Sequence, residues 1–260
     1  MTTNHSLQLN RAHKLLMLLF LLPGVYPMAF AQLRQVNHAS QQWVQYYTTT
    51  RFSEKGNFQA DVSYRWKDGF DTRNQYLIRF GATYKLLESL QLGGGIAHLG
   101  TYGTDGLSRV EFRPYQDLGY KTEFSRFDIT NRIRLEERIL NPVVDGKIQS
   151  SNTFNFRFRY SLSVSIPLFG LSDQVPDRKL LLLAGDEIFL NTGKRTEANI
   201  FDQNRIQLSP TLQWNRRLSI ALTWSYAYAS TQEPSTYLQT DVFWLQIRQQ
   251  FDLLRKNKNL

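Results

Sequence analysis

Phe154-Asn155-Phe156-Arg157-Phe158-Arg159-Tyr160-Ser161-Leu162-Ser163-Val164-Ser165-Ile166 separates into two sets with no exception. Every second residue from Phe154 to Ile166 is apolar, and those between are Asn155, Arg157, Arg159, Ser161, Ser163 and Ser165. Neighbouring side chains on an extended strand point to opposite faces, so this segment reads as a strand with one apolar and one polar face. It is longer than the roughly 5 or 6 residues of an average strand, and it covers the roughly 9 to 11 needed to cross a bilayer at a tilt.

The same alternation recurs outward in both directions. Phe58, Ala60, Val62, Tyr64 and Trp66 form one apolar stripe, and Tyr76, Ile78, Phe80, Ala82 and Tyr84 another. Later come Ile206, Leu208, Leu212 and Trp214, then Leu218 to Tyr228 by twos, then Phe243, Leu245, Ile247 and Phe251. About eleven such strands follow from Trp43 onward, separated by segments rich in Gly, Asn, Asp, Ser and Pro. A soluble sandwich would bury the same stripes. Strand length, and aromatic residues at the run ends (Tyr64, Trp66, Tyr84, Trp214, Tyr226, Tyr228), favour an all-β fold, an antiparallel transmembrane β-barrel with aromatic girdles. Single-chain bacterial barrels close on an even number, so the expectation is 12 strands, with 10 as the alternative.

Tight links are expected near Leu87–Leu90, Tyr120–Phe124 and Asn215–Arg217, and longer connections at Leu99–Ser108, Asn141–Ser151, Asn191–Gln203 and Ser230–Thr236. Counting back from a periplasmic C-terminus, this order would start the Trp43 strand outside. That outcome requires a hidden strand or a misassigned first turn.

The first residues have the three parts of a secretory signal: Arg11 and Lys14, an apolar run Leu15–Leu22, and a small-residue site at Ala29-Phe30-Ala31. Two regions follow: residues 1–31 as a cleaved signal peptide and 32–260 as one barrel domain, exported to the outer membrane of a Gram-negative cell. The absence of cysteine excludes disulfides, thiolate metal sites and lipid attachment through sulfur. Mean hydropathy is −0.41 although aromatics reach 13%, as expected of apolar residues dispersed singly. The formal charge of +9 falls to +7 once Arg11 and Lys14 are removed. Its basic residues are scattered and the chain is exported, so nucleic acid is not an expected partner. Outer-membrane lipid, lipopolysaccharide and a small anionic solute are.

Asn131-Arg132-Ile133-Arg134-Leu135-Glu136-Glu137-Arg138-Ile139 is the most unusual segment. With Ile133, Leu135 and Ile139 turned to lipid, Arg132, Arg134, Glu136 and Arg138 face the lumen. The same parity adds Glu111, Arg113, Arg157, Arg159, Glu187 and Arg205, and also Asp61, Arg65, Arg79 and Arg248. Isolated charges in a narrow lumen are costly, so these groups pair across strands or stay wet. One reading is a structural salt-bridge network in which Glu111 or Glu136 holds Arg134. The other is a basic lumen that binds or conducts anions. Glu137, on the lipid side, is expected near a strand end at the interface.

These residues resemble the uncharacterised outer-membrane barrel family filed as domain of unknown function 2490. The resemblance rests on Trp43, on Glu111-Phe112-Arg113 with Gln116, and on Arg132, Arg134, Glu136 and Arg138. It continues through Arg157, Arg159 and Tyr160, Glu187 and Asn191, and Gln203-Asn204-Arg205. It implies an outer-membrane barrel and brings no activity or catalytic residues.

A membrane-embedded lipid hydrolase needs a His activating a Ser. Beyond the signal only His38 and His98 are present. His38-Ala39-Ser40 falls in a polar stretch ahead of the first expected strand, and His98 has no Ser two residues on. Gly93-Gly94-Gly95 lacks the strand-to-helix setting of a phosphate loop and is expected to ease curvature. No catalytic residue, metal or cofactor is expected. The function expected is a barrel of structural or transport type, with an anion-preferring channel as the transport version. The alternatives are the hydrolase, and an interaction barrel presenting loops to a partner.

Overall fold

The computed structural model describes residues 34–192, 200–231 and 233–254; the expected signal and its cleavage site lie outside them. The described residues form strands and turns, without helix. In chain order the strands are β1 (Gln35–Arg51), β2 (Gly56–Lys67), β3 (Thr72–Lys85), β4 (Leu90–Gly103), β5 (Gly106–Glu123) and β6 (Asp128–Val144). Then come β7 (Lys147–Ile148), β8 (Thr153–Gly170), β9 (Lys179–Thr192), β10 (Phe201–Asn215), β11 (Leu218–Ser230) and β12 (Thr236–Asp252).

The twelve strands include eleven that form the wall of a closed barrel. The two residues of β7 only fold back on the end of β6, through Val143↔Ile148 and Val144↔Lys147. Hairpins reverse direction at each turn, so an odd wall leaves its first and last strands pointing the same way. The barrel therefore closes through a parallel pair, β1 with β12, in unbroken register from Gln35↔Thr236 to Arg51↔Asp252. The Trp43 strand needs neither a hidden strand nor a misassigned turn: β1 starts at one end of the barrel and β12 finishes at the other. Inside this seam Trp43 and Trp244 meet edge-on at 5.2 Å, packed with Val242 and Tyr47.

Three expected boundaries move. The tight link expected near Tyr120–Phe124 falls at residues 124–127, because β5 runs on to Glu123. Trp43 lies in the middle of β1, and His38-Ala39-Ser40 belongs to that strand, because pairing with β12 extends it through residues with no apolar alternation. Leu99–Ser108 is not a long loop: β4 runs on to Gly103 and turns through two residues into β5. Gly100, which reads as loop composition, lies in the sheet under Tyr76, where a Cβ would come within 2.1 Å of the ring.

Strand parity puts large apolar side chains outside all round the wall, among them Phe58, Phe80, Ile96, Phe112, Leu135, Phe154, Ile206, Leu222 and Phe243. Aromatic groups gather at the ends. Tyr64, Trp66, Phe70, Tyr76 and Tyr102 cluster where β1 begins, and Phe124 stacks on Phe127 at the opposite end.

Inside, Tyr115 lies across Gly81 and Gly95, which pair with each other on β3 and β4. A Cβ on Gly95 would fall 2.1 Å from the Phe80 carbonyl oxygen and 2.7 Å from the Tyr115 hydroxyl. The backbone cannot yield as a side chain can, so Gly95→Ala should cost about 1–3 kcal/mol in denaturant unfolding. Gly170→Ala, whose Cβ would meet nothing within 4 Å, should change stability by less than about 0.5 kcal/mol.

Candidate functional site: the charge network of the lumen

The ten charged residues expected to share the lumen all project inward, and the structure joins them in one continuous network. Antiparallel pairing sets Glu136 opposite Arg157, and Glu187 beside Arg205. A carboxylate with two oxygens can accept from several guanidinium forks, so few acids can hold many arginines.

Glu136, 1% exposed, is the first hub. Its Oε2 accepts from Arg157 Nε at 2.8 Å and Nη2 at 2.6 Å, while its Oε1 accepts from Arg159 Nη1 at 2.6 Å. Arg113 approaches to 3.6 Å and Arg134 to 4.0 Å. Glu187, 2% exposed, is the second. It accepts from Arg132 Nη2, Arg159 Nη2 and Arg205 Nη2, each at 2.7 Å. Arg159 thus bridges the two hubs. Glu111 extends the chain of pairs, accepting from Arg113 Nε and Arg138 Nε at 2.7 Å each. Phe189 supports the assembly from the wall, with Arg159 4.4 Å and Arg157 5.2 Å from its ring centre.

Sequence parity does not reveal every partner. Arg134 is held by neither Glu111 nor chiefly Glu136. Asp117, directly across the β5–β6 pair, takes both its Nε and Nη2 at 2.6 Å. Asp117 shares the parity of Glu111 and Arg113, so extending β5 by two more inward positions would have found it. Asp202, which accepts from Arg157 Nη1 at 3.0 Å, was hidden differently. It sits at a register shift between Phe201 and Gln203, where alternation breaks. Glu137 is in the middle of β6 and not near its end; on the outer face Gln116 Nε2 donates to it at 3.3 Å.

Asp61 completes the acidic set, accepting from Gln45 Nε2 at 2.5 Å and Arg79 Nε at 2.7 Å. On the β10–β12 side the wall is lined by small and hydroxyl residues. Ser209, Thr211, Ala221, Thr223 and Ser225 are each no more than 4% exposed, so the interior is filled there too. Within the network remains a cavity of about 600 Å³, lined by Glu111, Glu136 and Glu187 as well as by Trp43, Arg65, Arg109 and Arg205.

His98 stacks on Tyr76 on the outer face at 5.7 Å, its Nδ1 3.4 Å from the Tyr76 hydroxyl. No group of three or more residues able to hold a metal ion occurs among the described residues.

Removing one member of a buried pair strands the other charge. Arg134→Ala leaves Asp117 unmatched and should cost about 3–5 kcal/mol in denaturant unfolding. The double variant Arg134→Met, Asp117→Leu should recover most of that loss, because neither charge then remains. Equal losses in the single and double variants would mean that the pair acts through packing alone.

No solved structure matches this chain. An uncharacterised protein of Methylorubrum extorquens is 28% identical to it over 131 residues, which are 49% of this chain and 53% of that protein. The chain thus spans about half the length of this curated relative. A family model matches residues 40–237, a span that contains every hub and arginine of the network. The chain belongs to the family described as protein of unknown function (DUF2490).

Proposed function

We propose that this protein is a barrel of the bacterial outer membrane, exported by the signal at residues 1–31, whose structural charge network keeps its lumen closed. The observation that carries this reading is the outer face. Phe58, Val62, Phe80, Ile96, Leu222 and Phe243 are each at least 44% exposed, and comparable side chains continue around every side of the barrel. Apolar surface of this extent far exceeds the few hundred Å² tolerated in water, whereas lipid tails cover it at no cost. Aromatic clusters at both ends match the girdles of such barrels.

Closure rests on the near-complete burial of the hub carboxylates, since a water-filled pore would leave them wet. A second reading, an anion-preferring path, is favoured by the excess of lumen arginines over carboxylates: Arg65, Arg109 and Arg248 have no carboxylate within 4.0 Å among the described residues. Lipid and lipopolysaccharide are the partners of the outer face in both readings, and neither reading uses a cofactor or an enzymatic step.

The protein should fractionate with outer membranes, need detergent, and change gel mobility on boiling. In planar bilayers it should show little conductance. Steady anion-selective current would replace the closed reading with the open one, and recovery in the soluble periplasm would overturn both. Because the chain has no cysteine, Asp105→Cys and Glu88→Cys report on opposite barrel ends without background. An impermeant maleimide on intact cells should label the first and spare the second. His98→Ala should leave fold and phenotype unchanged; loss of a lipid-hydrolysing activity in that variant would establish the enzyme instead.

A further inference from the structure

Arg65 is placed unlike the arginines of the network. It projects inward from β2, opposite Trp43 on β1, with its guanidinium 4.0 Å from the Trp43 ring centre. One of its nitrogens, Nη1, donates to Gln75 Oε1 at 2.5 Å, and Gln75 Nε2 in turn donates to Thr101 Oγ1 at 3.2 Å. No carboxylate reaches it among the described residues, and its Nε is buried without a partner. Its strongest charged neighbours are Arg205 and Arg113, both positive.

Arg205 approaches the same indole at 6.0 Å and Trp244 at 5.9 Å. Its Nη2 is committed to Glu187, but its Nε is also buried and unpartnered. Two guanidinium groups therefore meet at the Trp43 ring, each with an unused donor, and both line the 600 Å³ cavity. A charge without a counter-ion is costly where its donors are buried, and each unused Nε adds a further desolvation cost. An anion between them would remove both penalties. The Nε–Nη edge of a guanidinium is a two-donor fork matched to an oxyanion.

We infer that Arg65 and Arg205, over Trp43, form a binding site for a small oxyanion, a carboxylate or a phosphate, inside the lumen. This rests on the closed-lumen reading for its strength alone, because water in a through-flowing pore would compete with the anion and weaken its binding without abolishing it. Trp43 supplies an apolar floor, and Gln75 fixes one edge of the Arg65 fork so that its Nε edge stays available.

The test uses the full mature chain folded in detergent micelles, with sodium phosphate and sodium acetate as separate probes at constant ionic strength. Thermal unfolding and tryptophan fluorescence are followed for each. Saturable stabilisation by one or both is expected, and which probe saturates first separates phosphate from carboxylate. Arg65→Gln should weaken apparent affinity about tenfold or more, the effect of losing a charge-assisted hydrogen bond. In buffer without either probe the same variant should melt no lower than the parent, since it removes an unmatched charge. A merely structural Arg65 would instead lower melting equally with and without probe.

Should Arg65→Gln not fold, Arg65→Lys decides. It keeps the charge and loses the fork, so weaker binding supports the site and unchanged binding overturns it. Arg216→Gln, exposed, paired with Asp177 and outside the lining of this cavity, should bind as the parent does. No saturable response in the parent overturns the site while leaving the closed barrel intact. Steady conductance together with saturable binding would leave the site standing and defeat the closed reading.

Discussion

Glu136 and Glu187 hold the interior of this barrel together. Each is almost wholly removed from water and is matched by arginines from neighbouring strands, with Arg159 spanning both. A buried carboxylate tolerates no empty neighbour, so the positions of these two acids dictate where Arg132, Arg157, Arg159 and Arg205 must stand. That requirement also sets strand register. A slip of one residue between β6 and β8 would turn Arg157 and Arg159 outward and drive Phe156 and Phe158 among the carboxylates. The apolar exterior and the charged interior therefore enforce the same alignment from opposite faces, and neither would suffice as firmly alone.

The remaining interior is organised around what the network leaves. Gly81 and Gly95 give up their side chains so that Tyr115 can lie flat against the wall, and Tyr115 in turn supports Arg134 at 4.2 Å. On the far side the small residues of β10 and β11 let the wall come close to the bulk of Trp244 and Gln246. Gln246 Nε2 reaches Thr223 Oγ1 at 2.8 Å, and Thr223 shares a 2.7 Å hydrogen bond with Ser209. The hub network thus occupies β5–β10, while small and hydroxyl residues line part of β10 and β11 and a separate ion pair, Asp61 with Arg79, joins β2 to β3.

Much of this was legible in the chain because side-chain direction on a strand has a period of two, and the run from Phe154 to Ile166 displays that period without a break. Parity alone assigned all ten network residues to the inside. It could not say which acid meets which arginine, since that depends on the offset between strands: Arg134 meets Asp117 only because β5 and β6 align those two positions. Asp202 escaped because a bulge shifts the parity beside it. The first half of β1 escaped because its residues are polar on both faces, and its strand character comes from pairing with β12 and not from its own pattern. Direction of closure was implied by the order of short and long links, which starts the Trp43 strand outside, but the expectation of an even strand number argued against it.

That parallel seam gives the polypeptide a polarity that ring-shaped sheets of even count lack. In an even barrel the two termini emerge side by side, and the chain can be reconnected there and cut elsewhere. Here a linker from Asp252 back to Gln35 would have to travel the length of a 17-residue strand, roughly 55 Å. Its route would run either through an interior partly occupied by ion pairs or along an exterior that is mostly apolar. Joining the ends of this wall therefore takes a linker as long as the barrel is tall, where an even barrel would need only a short turn.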